Sequence, residues 1–299
     1  MQEKSAMPPP LIANESPLHT VFSILCRPDL RKTALRAAKS MMYNFFFLQY
    51  KAALLPGRIP VTPVDHPLDG EIPFTPGWAA IYLDFVSFWI RMIGFLLTQY
   101  GRRATAPVAD FIDTLGQLYV FAAEIYTKNL STTRRPRYYG HPRFVLIHAA
   151  DPHLMCIPSL HVMVVIRTYT KFASIIRSLG DERRFAPQIE ELRRGALGIT
   201  EAVLYVKQHS VNCVSAAMYA MSRFDPRLFS GEEAADFTAA LFTRPGSPEK
   251  SETLRAYILE KYRLFLEEGE KGTDWKAPLL AFLSPVSGYE YGYGGPGRK

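Results

Sequence analysis

The sequence has few cysteines, and the three it contains, Cys26, Cys156 and Cys213, are odd in number and far apart. A disulfide framework needs paired cysteines in an oxidising compartment, so we expect no disulfides and a reducing compartment. The opening residues MQEKSAMPPPLIANESP lack the apolar stretch of a signal peptide. We therefore expect no secretory signal.

Several motif classes are also missing. The chain has no Cys/His spacing typical of a metal site, no Walker-type glycine loop and no dinucleotide fingerprint. It lacks the mixed aromatic and basic signature of a nucleic-acid surface. We expect no cofactor, no metal and no nucleic-acid partner. The net charge of +7 instead favours an anionic ligand or an acidic membrane surface.

Long apolar runs are absent as well, since no segment is an uninterrupted apolar stretch of about 20 residues. Asp84 and Arg91 interrupt segment 78–100, and a charge at the centre of a spanning helix costs roughly 2.5–3.5 kcal/mol. The mean hydropathy of the chain is −0.03. We expect a protein that is cytoplasmic or peripheral at a membrane, with an integral membrane protein as the alternative.

What the chain does contain is apolar residues at helical spacing, which predict an all-α fold. With 299 residues, 48% of them hydrophobic, it can bury one large core. The expected units are a flexible N-terminus (1–18), a helical core (19–225), a C-terminal helical extension (226–285) and a disordered tail (286–299). Predicted helices cover 28–55, 77–100, 106–130, 155–179, 194–222, 231–243 and 251–268, with a Pro- and Gly-rich connector over 56–76 and a basic loop from Arg134 to Arg143.

Three short stretches hold residue types that bind a phosphate and break a P–O bond. The first is KNLSTTRRP, in which six residues separate Lys128 from Arg135. A phosphoryl group in its transition state carries charge on its equatorial oxygens. Lys128 as a point charge and Arg135 as a planar fork can neutralise that charge.

The second stretch is IPSLHVMVV, a Pro-Ser turn that leads directly into an apolar helix. A helix N-terminus presents unpaired backbone N–H groups and the positive end of the helix dipole to an anion. We therefore expect Ser159 and Leu160 to bind the phosphate. His161, in the same first turn, can protonate the leaving oxygen.

The third stretch is VKQHSVNCV, which the periodicity places inside the helix over 194–222. His209 supplies a second imidazole that can attack phosphorus, and Lys207 a further cation for the phosphate. Each stretch alone is typical of a solvated basic loop or of a histidine in a core. Their joint order along the chain favours a common site.

At these residues the chain resembles the type 2 phosphatidic acid phosphatase superfamily, which also contains bacterial acid phosphatases, vanadium haloperoxidases and inositol phosphorylceramide synthases. The family's first signature, Lys, six residues, Arg-Pro, and its second, Pro-Ser-x-His, are both matched in full. The segments DPHLMCIPSLHV and IPFTPGWAAIYLDFVSFW, together with Lys-Gln-His, are similar to the lipid phosphotransferase branch. The resemblance covers roughly residues 70–222.

The resemblance implies a helical bundle of that family with extra flanking helices. It also implies a metal-independent phosphatase or phosphotransferase for phosphate esters, with lipid phosphates as the favoured class, that works through a phosphohistidine on His209. His161 would be the proton donor. The phosphate-binding residues that it implies are Lys128, Arg135, Ser159, Leu160 and Lys207.

The family's third signature is Ser-Arg, five residues, His, three residues, Asp, and only His209 matches it. Ala202 and Val203 stand at the Ser-Arg positions and Cys213 at that of the Asp, while Lys207 is expected to replace the Arg. Loss of a carboxylate that orients a catalytic imidazole costs on the order of 10⁴ in turnover in a Ser-His-Asp triad.

Two other residues near His209 carry oxygen acceptors. Asn212 can accept a hydrogen bond but carries no charge, and Glu201 lies about two helical turns before His209. Two alternatives to an active phosphatase therefore stay open. One is a catalytically impaired family member that serves as an anion- or lipid-binding scaffold, and the other is a vanadate-dependent haloperoxidase.

Overall fold

The computed structural model describes residues 10–284, and over that range it confirms the predicted all-α fold. Strand structure in this range is limited to β1 (Val61–Pro63) and β2 (Leu130–Thr132). The helices are α1 Pro17–Cys26, α2 Pro28–Met41, α3 Leu48–Leu54, α4 Ala79–Leu83, α5 Phe85–Tyr100, α6 Thr105–Tyr126, α7 Pro142–Ala150, α8 Leu160–Ser178, α9 Ala186–Tyr205, α10 Val211–Phe224, α11 Gly231–Ala239, α12 Ser251–Glu270 and α13 Ala277–Leu283.

The helix predicted over 28–55 forms as α2, a π-helical stretch Met42–Phe47, and α3 in succession. One face of this arm packs on α6. Gly116 permits the close approach, because a Cβ there would lie 3.1 Å from the Cα of Ala37. At the edge of the contact, the Arg36 guanidinium donates to the Asp113 carboxylate at 3.0 Å.

Helices α8 and α10 form the centre of the core and are buried along most of their length. Such burial agrees with their composition, since apolar residues occupy nearly all sides of both helices. A buried ion pair, with 2.7 Å between Arg167 Nη1 and Asp225 Oδ2, joins α8 to the end of α10. The C-terminal extension packs on this core, where Ser222 and Tyr262 share a hydrogen bond of 2.8 Å.

Two of the predicted helices have different boundaries in the structure. The helix expected over 77–100 is divided at Asp84 into α4 and α5, and the Asp84 carboxylate accepts a 3.0 Å hydrogen bond from Arg91. The helix expected over 106–130 ends at Tyr126. It ends there because the Leu130 N–H donates to the Pro60 carbonyl at 2.8 Å and starts β2, which runs parallel to β1.

The prediction of one helix over 194–222 is wrong at its centre. Helix α9 ends at Tyr205 and α10 begins at Val211. Lys207 has a φ of +56°, a left-handed conformation that a continuous α-helix does not contain. Ser210 caps α10 by accepting a 3.3 Å hydrogen bond from the Asn212 N–H. Residues 206–210 therefore form a connection, and Lys207 and His209 lie in it.

Smaller corrections concern helix ends and three unpredicted helices. Helix α8 begins at Leu160 rather than at 155, and α11 ends at Ala239 rather than at 243. The helices α1, α7 and α13 were not expected, because all three are short.

The two chain ends were predicted to be flexible. Within the expected N-terminal segment, Ile12 is buried, and its N–H donates to the Glu191 carboxylate at 2.9 Å. Ile12 thus anchors this segment to the core at Glu191 of α9. The disordered tail predicted for 286–299 lies outside the described residues, as do residues 1–9.

One helical stretch in the described range, Pro76–Tyr126, is long and apolar enough to cross a membrane, with a hydropathy of 1.7. In its most apolar window 44% of the residues are buried inside the protein. By itself such a stretch is weak evidence of membrane association, because the core helix of a soluble protein has the same length and composition.

Candidate functional site

Strand β2 joins the first signature to the second. The Ser131 N–H donates to the Leu154 carbonyl at 3.0 Å, and the Ser131 carbonyl accepts from the Cys156 N–H at 3.2 Å. The buried Ser131 hydroxyl accepts a third bond, at 2.7 Å, from the Ile157 N–H. The segment that enters the Pro-Ser turn is therefore held against the strand that lies between Lys128 and Arg135 in the sequence.

The Pro-Ser turn begins α8, in agreement with the predicted helix start. Ser159 is the N-cap residue and is fully buried, yet its side chain makes no capping bond. Its Oγ instead lies 3.3 Å from Nε2 of His209. The first N–H groups of α8, beginning with that of Leu160, have no partner within the helix. The N-terminal end of α8, a position at which a helix can bind an anion, therefore lies beside the His209 ring.

His161 lies between aromatic rings on one side and His209 on the other. Its ring stacks on Tyr82, with 4.6 Å between centroids, and contacts Phe85 at 4.3 Å. The His161 and His209 centroids are 5.6 Å apart. Burial, together with the neighbouring His209, lowers the pKa of His161 to about 3. His161 is therefore a neutral imidazole at physiological pH.

His209 lies in the α9–α10 connection and is only 8% exposed. Its Nε2 lies beside Ser159, whereas its buried Nδ1 has no hydrogen-bond partner among residues 10–284. In a His nucleophile, a carboxylate on the far nitrogen orients the ring and stabilises its cation. Cys213, which stands at the Asp position of the resembled signature, makes no hydrogen bond to this nitrogen.

The residues considered as substitutes for the missing Asp have other partners. Asn212 donates to the Val64 carbonyl at 3.1 Å, and its Oδ1 accepts from Tyr257 at 2.6 Å. Asn212 does not accept from His209, whose Nδ1 has no partner in the described range. Glu201 accepts from the Phe242 N–H at 2.7 Å and pairs with Arg244 at 3.2 Å.

Of the predicted cations, Arg135 lies nearest to the histidines in the hydrogen-bond network. Its Nη1 donates to Gln208, the neighbour of His209 in the connection, at 3.2 Å. Its Nη2 donates to the Asp151 carbonyl at 3.0 Å. The guanidinium is thus linked both to the connection and to the segment before the Pro-Ser turn.

The two predicted lysines are not joined to the histidines. The Lys207 ammonium donates to the backbone carbonyls of Asp69 and Ile72 in the Pro- and Gly-rich connector. The Lys128 side chain is exposed after the end of α6 and makes no hydrogen bond or ion pair with any residue between 10 and 284. The structure therefore brings together Ser159, His161 and His209, with Arg135 linked through Gln208.

A second polar cluster beside this group was missed by sequence reasoning. His153 Nε2 lies 2.8 Å from Thr133 Oγ1, and its Nδ1 lies 3.9 Å from the Asp151 carboxylate. The Cys156 thiol is 3.9 Å from the same ring. The only sequence signal was the Asp-Pro-His spacing, which favours a turn in which the Asp151 carboxylate accepts from the His153 N–H, here at 2.8 Å.

The pKa values of His153, Asp151 and Cys156 in this cluster are all shifted. Burial alone would lower the pKa of His153, but Cys156 and Asp151 outweigh it and raise that pKa to about 9. Burial would raise the pKa of Asp151, but the hydrogen bond and charge of His153 bring it to about 2. Despite burial, contacts with Cys213, His153 and His209 hold the pKa of Cys156 well below its usual value.

Within residues 10–284, no group of three or more His, Cys, Asp or Glu side chains is arranged to hold a metal ion. Comparison with known proteins gives no match to any family model, curated protein or solved structure. The chemistry of the site must therefore be argued from its own residues.

Proposed function

We propose that this protein is a metal-independent phosphatase or phosphotransferase for phosphate esters, built on a helical bundle like that of the type 2 phosphatidic acid phosphatases. Lipid phosphates are the favoured substrate class. The proposal rests on one observation: Ser159 and His161 at the start of α8 and His209 in the α9–α10 connection converge at contact distance.

In the proposed reaction, Nε2 of His209 attacks the phosphorus of the ester. The N–P bond forms as the P–O bond to the leaving group breaks, and the leaving alkoxide takes a proton from His161. Water then gives a proton to His161 and attacks the phosphohistidine, which releases phosphate and restores His209. An alcohol in place of water gives a transferase with the same steps.

His161 needs a proton for the first step, although burial and the neighbouring His209 lower its pKa to about 3. A bound phosphate dianion supplies the charge that favours the imidazolium, and a nearby opposite charge raises the pKa of a histidine. Substrate binding therefore favours the protonated form of His161, which donates the proton.

For phosphate binding, we assign Arg135 and the first N–H groups of α8, with Ser159 beside them. Arg135 can exchange its 3.2 Å bond to Gln208 for bonds to phosphate oxygens. Lys128 is exposed, so its ammonium can approach a bound substrate. Lys207 is engaged with two connector carbonyls, so we assign it to hold the α9–α10 connection that carries His209.

We further propose a cytoplasmic location or peripheral attachment to a membrane. Helices α8 and α9 carry Arg167 and Glu201, which are buried and form ion pairs with Asp225 and Arg244. A charge pair in the core is compatible with a globular helical bundle.

The test is incubation of purified protein with a panel of phosphomonoesters and lipid phosphates, with and without EDTA. We expect hydrolysis to survive chelation, because every charge-neutralising group assigned here is a side chain or backbone N–H. Vanadate should inhibit, since a trigonal-bipyramidal oxyanion on His209 mimics the transition state. Loss of activity in EDTA that a divalent cation restores, or indifference to millimolar vanadate, would contradict the proposal.

The unsatisfied Nδ1 of His209 favours one other function, an anion-binding scaffold without turnover. A cationic phosphohistidine forms less readily when no carboxylate stabilises it. Binding of vanadate or phosphate without turnover of any ester, in both the wild type and Cys213→Asp, would establish the scaffold.

A further inference from the structure

The arm formed by α2, the π-helical stretch and α3 carries large apolar side chains on its outer side. We call Met42, Tyr43, Phe46, Phe47 and Tyr50 the aromatic face. These side chains line one contiguous, almost wholly apolar surface depression together with Lys39. Tyr43 is 66% and Phe47 56% exposed. Contiguous apolar surface of this kind marks an interaction site in a soluble protein.

The arm packs on the core through a different face, so the aromatic face is a second apolar surface of the arm. Leu30 and Ala37 are buried, and Phe45 lies edge-on against Tyr119 of α6, with 6.0 Å between ring centroids. The π-helical stretch adds a residue to the turn and brings the Tyr43 and Phe47 rings into a stack at 5.5 Å on the other side. The arm is therefore apolar on two opposite sides.

The charge around the aromatic face has one sign. Residues 28–58 contain six Lys or Arg side chains and one acidic residue, Asp29, which gives a net charge of +5 within a chain whose total is +7. Arg36 pairs with Asp113, whereas Lys39 and Lys51 are exposed beside the aromatic side chains. An occupant of this face must therefore combine apolar groups with negative charge.

An apolar cavity next to the aromatic face has the same character. It has a volume of about 340 Å³ and lies between α3 and β2, with Leu48, Leu55 and Leu130 among its lining residues. Lys51 and Arg58 also line it. Apolar walls next to basic side chains fit an acyl chain and an anionic headgroup. A second copy of this chain does not fit, because two faces of equal positive charge repel each other.

We infer that the aromatic face is a docking surface for an anionic lipid bilayer. The aromatic and aliphatic side chains insert at the level of the headgroups, as in amphipathic helices that lie in the plane of an interface. Lys39, Lys51 and their basic neighbours bind the negative lipid surface. This inference does not depend on catalysis by the histidine site.

The test is flotation of the full chain with vesicles of pure phosphatidylcholine and with vesicles that also contain phosphatidylserine. We expect binding to the anionic vesicles that weakens as salt rises, because screening shortens the reach of the basic residues. The variant Phe46→Ser/Phe47→Ser should bind about tenfold more weakly or worse, since it withdraws two rings from the apolar layer. Lys39→Glu/Lys51→Glu should lose the preference for anionic vesicles, by about fivefold for each residue.

Matched controls come from other exposed surfaces. Leu264→Ser on α12 and Arg183→Glu/Arg263→Glu change the same kinds of side chain away from the arm and should leave vesicle binding unchanged. Circular dichroism checks that each variant is folded, and turnover of a water-soluble phosphomonoester should be the same in all of them. Failure to bind either vesicle type, equal weakening by the controls, or a lipid-free dimer that Phe46→Ser/Phe47→Ser dissociates would overturn the inference.

Discussion

The histidines beside the Pro-Ser turn fall into two groups with opposite environments. His153 contacts Thr133, Asp151 and Cys156, and its pKa is raised to about 9. His161 packs on two aromatic rings and its pKa is lowered to about 3. The charged form is therefore favoured for His153, and the neutral form for His161.

The comparison shows how strongly the neighbours of a histidine determine its charge. Cys156 and Asp151 together favour the charged form of His153 against its burial, so that this ring is suited to structure. His209 has no such partner on Nδ1, and its Nε2 lies beside the N-terminal end of α8. His153 therefore has hydrogen-bond partners on its ring, whereas the Nδ1 atom of His209 has none among the described residues.

The strongest test of this difference is removal of the proposed nucleophile, His209. We expect His209→Ala to lower turnover by about 10⁶-fold, the cost of losing the nucleophile or the base of a catalytic triad. Vanadate binding should change little, since Arg135 and the α8 N-terminus remain. Steady-state kinetics and equilibrium binding measure the two effects separately. His19→Ala, at an exposed position on α1, is the control, and equal turnover in both variants would remove His209 from the mechanism.

A smaller effect is expected at the cation that lies nearest to the reactive group. Arg135→Ala should raise KM about 10- to 100-fold, because a hydrogen bond to a charged group contributes roughly 1.5–3 kcal/mol. Arg135→Lys keeps the charge but loses the planar fork, so its KM should fall between those of the wild type and Arg135→Ala. An unchanged KM in Arg135→Ala would show that other groups hold the phosphate.

A further test is to give His209 a carboxylate partner like the one that Asp151 provides for His153. We expect Cys213→Asp to raise turnover by about tenfold, since a carboxylate at this position can accept from Nδ1 and stabilise the cationic ring. Cys213→Ser, which adds no charge, should give no gain. If the wild type is already fast and Cys213→Asp slows it, another group orients His209.

The smallest expected effect is on stability. The folded pKa of His153 lies above its ordinary value of 6.5, so its contribution to stability is complete below pH 6.5 and is lost as the pH rises through about 9. Urea unfolding between pH 6 and pH 10 should therefore show a decline over that window. In His153→Gln the decline should be reduced, and an identical pH profile in both proteins would contradict the ion pair.

The sequence was sufficient for most helices and insufficient for the break between α9 and α10. Helical periodicity continues through residues 194–222, and no proline or glycine marks residues 206–210. The break depends on contacts from far away in the chain, where the Lys207 ammonium binds carbonyls of Asp69 and Ile72 while its backbone adopts a positive φ. Helix propensity is a local property and cannot predict such a long-range contact.

For the candidate site, the motifs predicted which histidines to examine, and His161 and His209 do lie together. They did not reveal which cations accompany them, because Lys207 has the right residue type and spacing but its ammonium binds carbonyls of the connector instead. The cluster around His153 was also hidden, since Thr133 and His153 are joined only when β2 meets the segment before α8. Residue type can be read locally, whereas direction and partner depend on tertiary structure.

Ser131 has a consequence for the order in which the protein acquires its site. Its three hydrogen bonds link β2 to residues 154–157, and β2 in turn pairs with β1 about 70 residues earlier in the sequence. Closing such long loops costs entropy that isolated helices do not incur. The helices can therefore form before the site does. Under native hydrogen exchange, the amides of Leu130, Cys156 and Ile157 should open together as one cooperative unit, ahead of the amides at the centre of α8.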